Sequence, residues 1–291
     1  MSIRPQAPPT VRTVALWTHT QPEQTAAAFR EAIGRCAAAD LTVVAAADEI
    51  AKHGEAATGV QPVEELEDGP DVCLVLGGDG TILKALRTYA GTEVPVFGIN
   101  FGTIGFLAAA ERDELSEGLD RAVAGDFDVM SLPALEVGAA GFERVALNDV
   151  SFHRRPHGRV AELAYRLGGQ EVGHVRCDGL VAATPAGSTG YNLANQGPIL
   201  AWGVEGYVVS FIAPHTLTAR PLVVAPDDVL YVRNAAGREA VEVVVDGEYV
   251  AELESGAETE VRFHDGVGRL AQLPGSNFYR RIDEKFGRLA R

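Results

Sequence analysis

Gly77-Gly78-Asp79-Gly80-Thr81 follows a short apolar run, Val72-Cys73-Leu74-Val75-Leu76, and precedes a helical stretch from Ile82 to Tyr89. An uninterrupted apolar run of this length is what a strand buried on both faces looks like. The glycines then put one carboxylate in a bend at its carboxyl end, where ligands bind in open α/β sheets. Three glycines let a bulky anion approach main-chain N–H groups. The following helix offers its unpaired N–H groups and positive dipole end to phosphate. A carboxylate among phosphate binders is costly unless it handles a proton, a metal or a sugar hydroxyl. The plainer alternative, an Asp that only caps its helix, stays open at this level.

Three familiar phosphate motifs are excluded. Lys52, Lys84 and Lys285 are the only lysines and none follows a glycine, so there is no Walker A loop. A dinucleotide fingerprint through Gly78 and Gly80 needs a third glycine where Leu83 stands. The His-Arg-Asp and Asp-Phe-Gly elements of protein kinases are absent.

The net charge of −15 opposes non-specific binding to nucleic acid or anionic membrane, so an anionic substrate needs local positive charge. Apolar residues at 46% and charged residues at 22% fit a soluble globular chain. Cys36, Cys73 and Cys177 lie far apart in apolar surroundings and read as reduced core thiols of a cytoplasmic protein. The start, Met1 to Thr10, lacks a secretory pattern, and no later run approaches a membrane span.

Strands are expected at Val11–Trp17, Leu41–Ala46, Val72–Leu76 and Val94–Ile99, with helices from Pro22 to Ala39 and from Glu111 to Ala124. This alternation predicts a parallel sheet covered on both faces. From Val129 onward short strands with turn signals predict a mostly antiparallel region, including a single strand Arg144–Arg154. Ser276–Ala290 returns to helical patterning. The expected fold class is therefore α/β. A Rossmann-like domain at 1–125 precedes a β-rich domain at 126–274, and a last helix (275–291) returns to the first domain.

Further clusters carry weaker signals. Asn148-Asp149 sits in a strand-like run, where neighbours point to opposite faces unless a bulge re-aims them. Arg176 and Asp178, two apart, share a strand face, so one expectation is that they pair with each other. Thr184 to Pro198 combines glycines, hydroxyls and Tyr191, which suits a nucleotide but equally a helix cap with a core tyrosine. Ser188 lacks the Gly-x-Ser-x-Gly spacing of a nucleophile elbow. Pro156 between His153 and His157 forbids the helix that would align them as metal ligands. Arg154, Arg155, His157 and Arg159 form a basic patch, either a solvated turn or a phosphate-facing edge. Asp246-Gly247 reads as a hairpin turn.

In order, these pieces resemble the NAD kinase family. The match runs through Leu76–Leu83, Gly98–Leu107, Leu147-Asn148-Asp149, Asp178–Leu180, Gly187-Ser188-Thr189, Gly197–Leu200 and Pro214–Leu222. Gly-Gly-Asp-Gly alone also occurs in diacylglycerol and sphingosine kinases and resembles the phosphofructokinase loop; the later blocks belong to NAD kinases. The resemblance implies phosphorylation of the adenosine ribose 2′-hydroxyl of NAD by ATP, or by polyphosphate in some members. Mg²⁺ would come with the triphosphate. It further implies that Asp79, beside Gly80, is the proton acceptor, that Lys84 lies near phosphate, and that Asn148 and Asp149 bind NAD polar groups. Arg159, Arg176 and Asp178 match NAD-contacting positions. Thr189, Gly190, Tyr191, Asn192, Leu193 and Ala194 match the segment that wraps the dinucleotide, and a homodimer or homotetramer is implied.

Four positions depart from the family pattern: Asn195 and Gln196 before Gly-Pro, Gly190 for the customary Ala, and Glu248 for the usual amide. The contact at Glu248 is not carried over. Two other functions fit the glycine loop. A lipid kinase should show a basic or amphipathic membrane-facing surface, and a dinucleotide sensor without catalysis should have lost Asp79.

Overall fold

The computed structural model describes residues 10–64, 69–102, 105–139, 142–236 and 239–287. The polar start through residue 9, Thr103-Ile104 of the second matching block and the end of the expected last helix (288–290) lie outside the described residues. The described residues up to Ser131, with those from Gly268 onward, form one compact unit; Leu132–Val267 form the other.

The first unit is built on parallel strands β1 (Thr13–Thr18), β2 (Thr42–Ala46), β3 (Gln61–Val63), β4 (Val72–Gly77), β5 (Val96–Asn100) and β6 (Ala110–Glu111). Their order is β3-β2-β1-β4-β5, with β6 paired to β5. Helices α1 (Ala26–Ala38), α2 (Ala47–His53), α3 (Asp79–Thr88) and α4 (Leu115–Ala124) connect them.

Both sheet faces are covered. Leu74, Leu76, Phe97 and Ile99 share one core with Phe29 and Ala32 of α1 and Leu119 of α4. Gly98, pointing the other way, faces α3: a Cβ there would stand 2.4 Å from Ile82 Cδ1. Every residue of β4 is buried, and each large aliphatic among them contributes about 1.5–3 kcal/mol. The expected helix from Pro22 is split into a 3₁₀ turn (Pro22–Gln24) and α1; α2 and β3 had no strong sequence signal.

The second unit is antiparallel. It contains β7 (Asp128–Ala139, from Leu132), β8 (Phe142–Ala146), β9 (Asp149–Arg154), β10 (Ala161–Leu167), β11 (Gln170–Cys177), β12 (Gly179–Ala183), β13 (Tyr207–Ile212), β14 (Leu222–Val224), β15 (Leu230–Asn234), β16 (Val241–Val245), β17 (Glu248–Leu253) and most of β18 (Glu258–Gln272). One sheet has the order β14-β13-β12-β9-β16-β17, and β11-β10-β15-β18 form the other. Their apolar inner faces share a core that includes Phe152, Leu163, Leu180, Tyr207 and Val243. The single strand expected over Arg144–Arg154 is two, β8 and β9, interrupted at Leu147-Asn148. The short α5 (Tyr191–Ala194) belongs here, whereas α6 (Phe278–Phe286) belongs to the first unit.

Burial pushes the three thiols upward, Cys36 to about 11 and Cys177 to about 12, so none is a ready nucleophile. No helix among the described residues is long and apolar enough to cross a membrane.

Candidate active site

Asp79 is the first residue of α3, after the N-cap Gly78 in extended conformation, yet its carboxylate bonds outside that helix. Its Oδ2 instead accepts the Phe106 N–H at 2.7 Å and its Oδ1 the Leu107 N–H at 3.1 Å. The capping alternative is thereby set aside. Glycines permit this approach: a Cβ on Gly105 would stand 2.9 Å from Asp79 Oδ1, and one on Gly102 would stand 3.3 Å from Gly78 Cα. Asn100 Oδ1 accepts the Gly102 N–H at 2.9 Å and so fixes the chain where it leaves β5.

Burial raises the Asp79 pKa above the usual carboxylate range, and the two N–H groups and the charges of Arg281 and Lys285 oppose that rise. The carboxylate is thus more basic than that of a solvated Asp. Beside it Gly80 is exposed, with open space where a Cβ would be. Lys84 lies on the exposed side of α3, its Nζ 5.6 Å from the centroid of the Trp17 ring, a cation–π distance.

In the second unit the break between β8 and β9 is held by a residue far away in sequence. Asp246, in the left-handed region (φ 48°) at the β16–β17 hairpin, accepts three successive N–H groups. They are Leu147 at 3.0 Å, Asn148 at 2.8 Å and Asp149 at 3.1 Å. From the other side Thr184 donates through Oγ1 to Leu147 O at 2.7 Å and through its N–H to Asn148 O at 2.9 Å. Asp149 is consequently only 7% exposed, and burial, then the charge of Asp246, pushes its pKa up to about 7. Sequence reasoning saw the Asp246 turn but not this reach, because nothing local marks a contact spanning about a hundred residues.

Asp149, Ser151 and His153 alternate along one face of β9. His153 Nε2 lies 2.9 Å from Ser151 Oγ, and its ring stacks on Tyr191 with centroids 5.6 Å apart. Burial, then the Asp149 and Asp178 carboxylates, raise the Tyr191 phenol. Gly190, Tyr191 and Ala194 are exposed, while Leu193 is half-buried. Asn192 is turned into the fold, donating to Ser188 O and Pro198 O at 3.0 Å each. Thr189 Oγ1 donates to Ala186 O at 3.1 Å. Within this segment Tyr191 is therefore the large exposed side chain, and Asn192 holds the loop together.

Arg176 and Asp178 do not pair with each other, contrary to the expectation from their spacing. Arg176 meets Glu162 across β10–β11 at 3.2 Å, and Asp178 meets Arg154 at 2.7 Å. Asp178 lies in the bend after β11, so the strict alternation that would align the two ends before it. Arg154, Arg155, Arg159 and Arg176, with Glu162 and Glu239, line an open cavity of about 270 Å³. Arg155 is paired with Glu252, and the Arg159 N–H donates to Glu239 at 2.8 Å. The basic patch is thus a turn with its charges partly matched at the edge of a cavity.

Among the described residues no group of three or more His, Cys, Asp or Glu is arranged to hold a metal ion.

The ATP-NAD kinase N-terminal domain family matches residues 6–127, and the ATP-NAD kinase C-terminal domain family matches 147–269. The NAD kinase of Gemmatimonas aurantiaca is 35% identical over 245 residues, covering 82% of each chain. That of Thermobifida fusca is 34% identical over 292 residues, covering 95% of this chain and 90% of the relative. Among solved structures, the NAD kinase from Archaeoglobus fulgidus in complex with ATP superposes with a TM-score of 0.73 at 27% identity, covering 94% of this chain and 97% of that one. Yeast NADH kinase complexed with NADH gives a TM-score of 0.86 at 22% identity, covering 98% and 90%, and speaks for the fold alone. With both domain families matched in order and relatives this similar along most of their length, the chain belongs to the NAD kinase family.

Proposed function

We propose that this protein transfers the terminal phosphoryl group of ATP to the 2′-hydroxyl of the adenosine ribose of NAD, giving NADP and ADP. The observation that carries this reading is Asp79: a carboxylate at the end of a buried parallel strand, not used as a cap, made more basic by burial. A neutral hydroxyl is a poor nucleophile, and a positioned carboxylate orients it and accepts its proton. The O2′–P bond forms, the bond from the γ-phosphorus to its bridging oxygen breaks, and the electron pair leaves on ADP. In a loose transition state little deprotonation precedes that cleavage, so Asp79 acts chiefly in orientation and late proton acceptance. Mg²⁺, carried on the triphosphate, neutralises phosphate charge when bound.

In the same reading Gly80 leaves room for the ribose, and Lys84 supplies positive charge to phosphate. Asn148 and Asp149 meet polar groups of NAD. Tyr191, backed by His153, offers a flat surface to the adenine, within the Thr189–Ala194 segment. Arg159, Arg176 and Asp178 contribute charged contacts to NAD. The working form is a cytoplasmic homodimer or homotetramer, and polyphosphate is the alternative donor to test.

The experiment is conversion of NAD to NADP by purified protein with ATP and Mg²⁺, followed by a donor panel that includes polyphosphate. Phosphorylation of a lipid in place of NAD, or NAD binding without turnover, would overturn the proposal.

A further inference from the structure

The peptide group joining Phe106 to Leu107 has a partner at each end. Its N–H, that of Leu107, donates to Asp79 Oδ1, and its carbonyl, that of Phe106, accepts from Arg281 Nη1 at 2.7 Å. The same nitrogen donates to Ala108 O at 2.5 Å, while Arg281 Nη2 donates to Gln272 Oε1 at 2.7 Å. Gln272 Nε2 in turn donates to Leu107 O at 3.0 Å. One guanidinium, with one amide, therefore holds the three carbonyls of Phe106, Leu107 and Ala108. The N–H groups of Phe106 and Leu107 hold both oxygens of Asp79.

Arg281 sits on α6, which begins with a genuine cap: Asn277 Oδ1 accepts the Tyr279 N–H at 2.9 Å. Two further contacts fasten this helix to the same segment. Lys285 pairs with Glu111, whose other oxygen accepts from Asn100 Nδ2 at 2.8 Å, and the Phe286 ring lies 5.0 Å from that of Phe106. A guanidinium is planar and rigid, so its fork sets an orientation that a lysine ammonium cannot. Hydrogen bonding at a peptide carbonyl also polarises its N–H, strengthening the bond made on the far side.

We propose that Arg281 is the positioning residue for Asp79, acting through the Phe106–Leu107 peptide to fix the direction of the carboxylate. This rests on the phosphoryl-transfer reading given above. The charged groups in play are Arg281 and Lys285, which favour the Asp79 anion, and Glu111, Glu114 and Glu284, which face Arg281.

The test compares Arg281→Met and Arg281→Lys with Arg280→Ala, a control on an exposed residue of the same helix paired with Glu284. Arg281→Met is expected to lower kcat about 10²-fold, with KM for NAD and for ATP within about twofold. The acid limb of its kcat–pH profile moves to higher pH. Arg281→Lys keeps the charge but not the fork, and kcat falls about tenfold with a smaller displacement of that limb. The titration of the Asp79 carboxyl in ligand-free protein, followed by ¹³C NMR, rises in Arg281→Met and stays put in Arg280→Ala.

A folded Arg281→Met with wild-type kcat and an unmoved Asp79 titration overturns the proposal. If that variant does not fold, Arg281→Lys decides: wild-type kcat, or failure to fold, overturns it equally. Wild-type protein whose Asp79 titration responds to Arg281 but which cannot phosphorylate NAD would refute the assigned reaction instead.

Discussion

Gly187 stands directly against the main chain of Asn148, so that a Cβ at position 187 would lie 2.1 Å from the Asn148 carbonyl oxygen. The neighbouring atoms are backbone and cannot swing aside. Gly187→Ala is therefore expected to destabilise the fold by roughly 1–3 kcal/mol and to raise KM for NAD by displacing Asn148 and Asp149. Urea unfolding and NAD saturation curves measure the two effects. An alanine variant with an unchanged midpoint and unchanged KM would refute the packing argument.

Replacing Asp79 by Asn keeps the shape but inverts one hydrogen bond, because an amide NH₂ would face one of the Phe106 and Leu107 N–H donors. NAD binding should stay close to normal while turnover falls by ~10²–10⁴. Single-turnover kinetics beside equilibrium NAD binding separates these quantities. Equal turnover in the variant is incompatible with the assigned role.

Loss of the Asp246 carboxylate strips acceptors from three consecutive N–H groups. Asp246→Ala should cost roughly 2–4 kcal/mol and weaken NAD binding with little change in KM for ATP. Asp246→Asn, which tolerates the left-handed backbone and keeps one oxygen for two of the three donors, should lie between alanine and wild type. A denaturant series across the three proteins, with both KM values, tests this ranking.

Asp149 carries a folded-state pKa of about 7, above the ordinary 3.8 of the solvated side chain. A raised carboxylate favours the fold fully below the unfolded value, and that contribution is lost as pH climbs through the folded value. Wild-type stability should therefore decline between about pH 4 and pH 7 on account of this group. Asp149→Asn removes that slope and is expected to be the more stable protein at pH 8 by roughly 1–3 kcal/mol, with weaker NAD binding. Melting temperatures at pH 5 and pH 8 decide it: a gap that does not widen toward pH 8 would falsify the assignment.

Much of the fold was legible because its signals are local. The all-apolar Val72–Leu76 run, glycines at a strand end and alternating strands and helices point to a parallel α/β unit wherever they occur together. The strand expected at Val72–Leu76 is β4 with one residue added, Gly77. The break at Leu147-Asn148 was not legible, because the residue that forces the bend is Asp246, about a hundred positions away. Similarly β11 and α2 escaped notice, since Gln170–Cys177 is largely exposed and Ala47–His53 is a single short stretch whose buried residues, Glu49 and His53, are polar.

The candidate site divides along the same line. Sequence alone placed Asp79 in a glycine bend after a buried strand, because steric permission is a property of a few neighbouring residues; Asn148, Asp149 and Tyr191 became candidates only through the family resemblance. Which N–H groups hold Asp79, which carboxylate bends the chain at Asn148, and that Arg176 pairs with Glu162 rather than Asp178 were decided only by the tertiary structure. Hydrogen bonds and charge interactions act over a few ångströms of space irrespective of distance along the chain. Partners separated by dozens of residues therefore become visible only once the chain has folded.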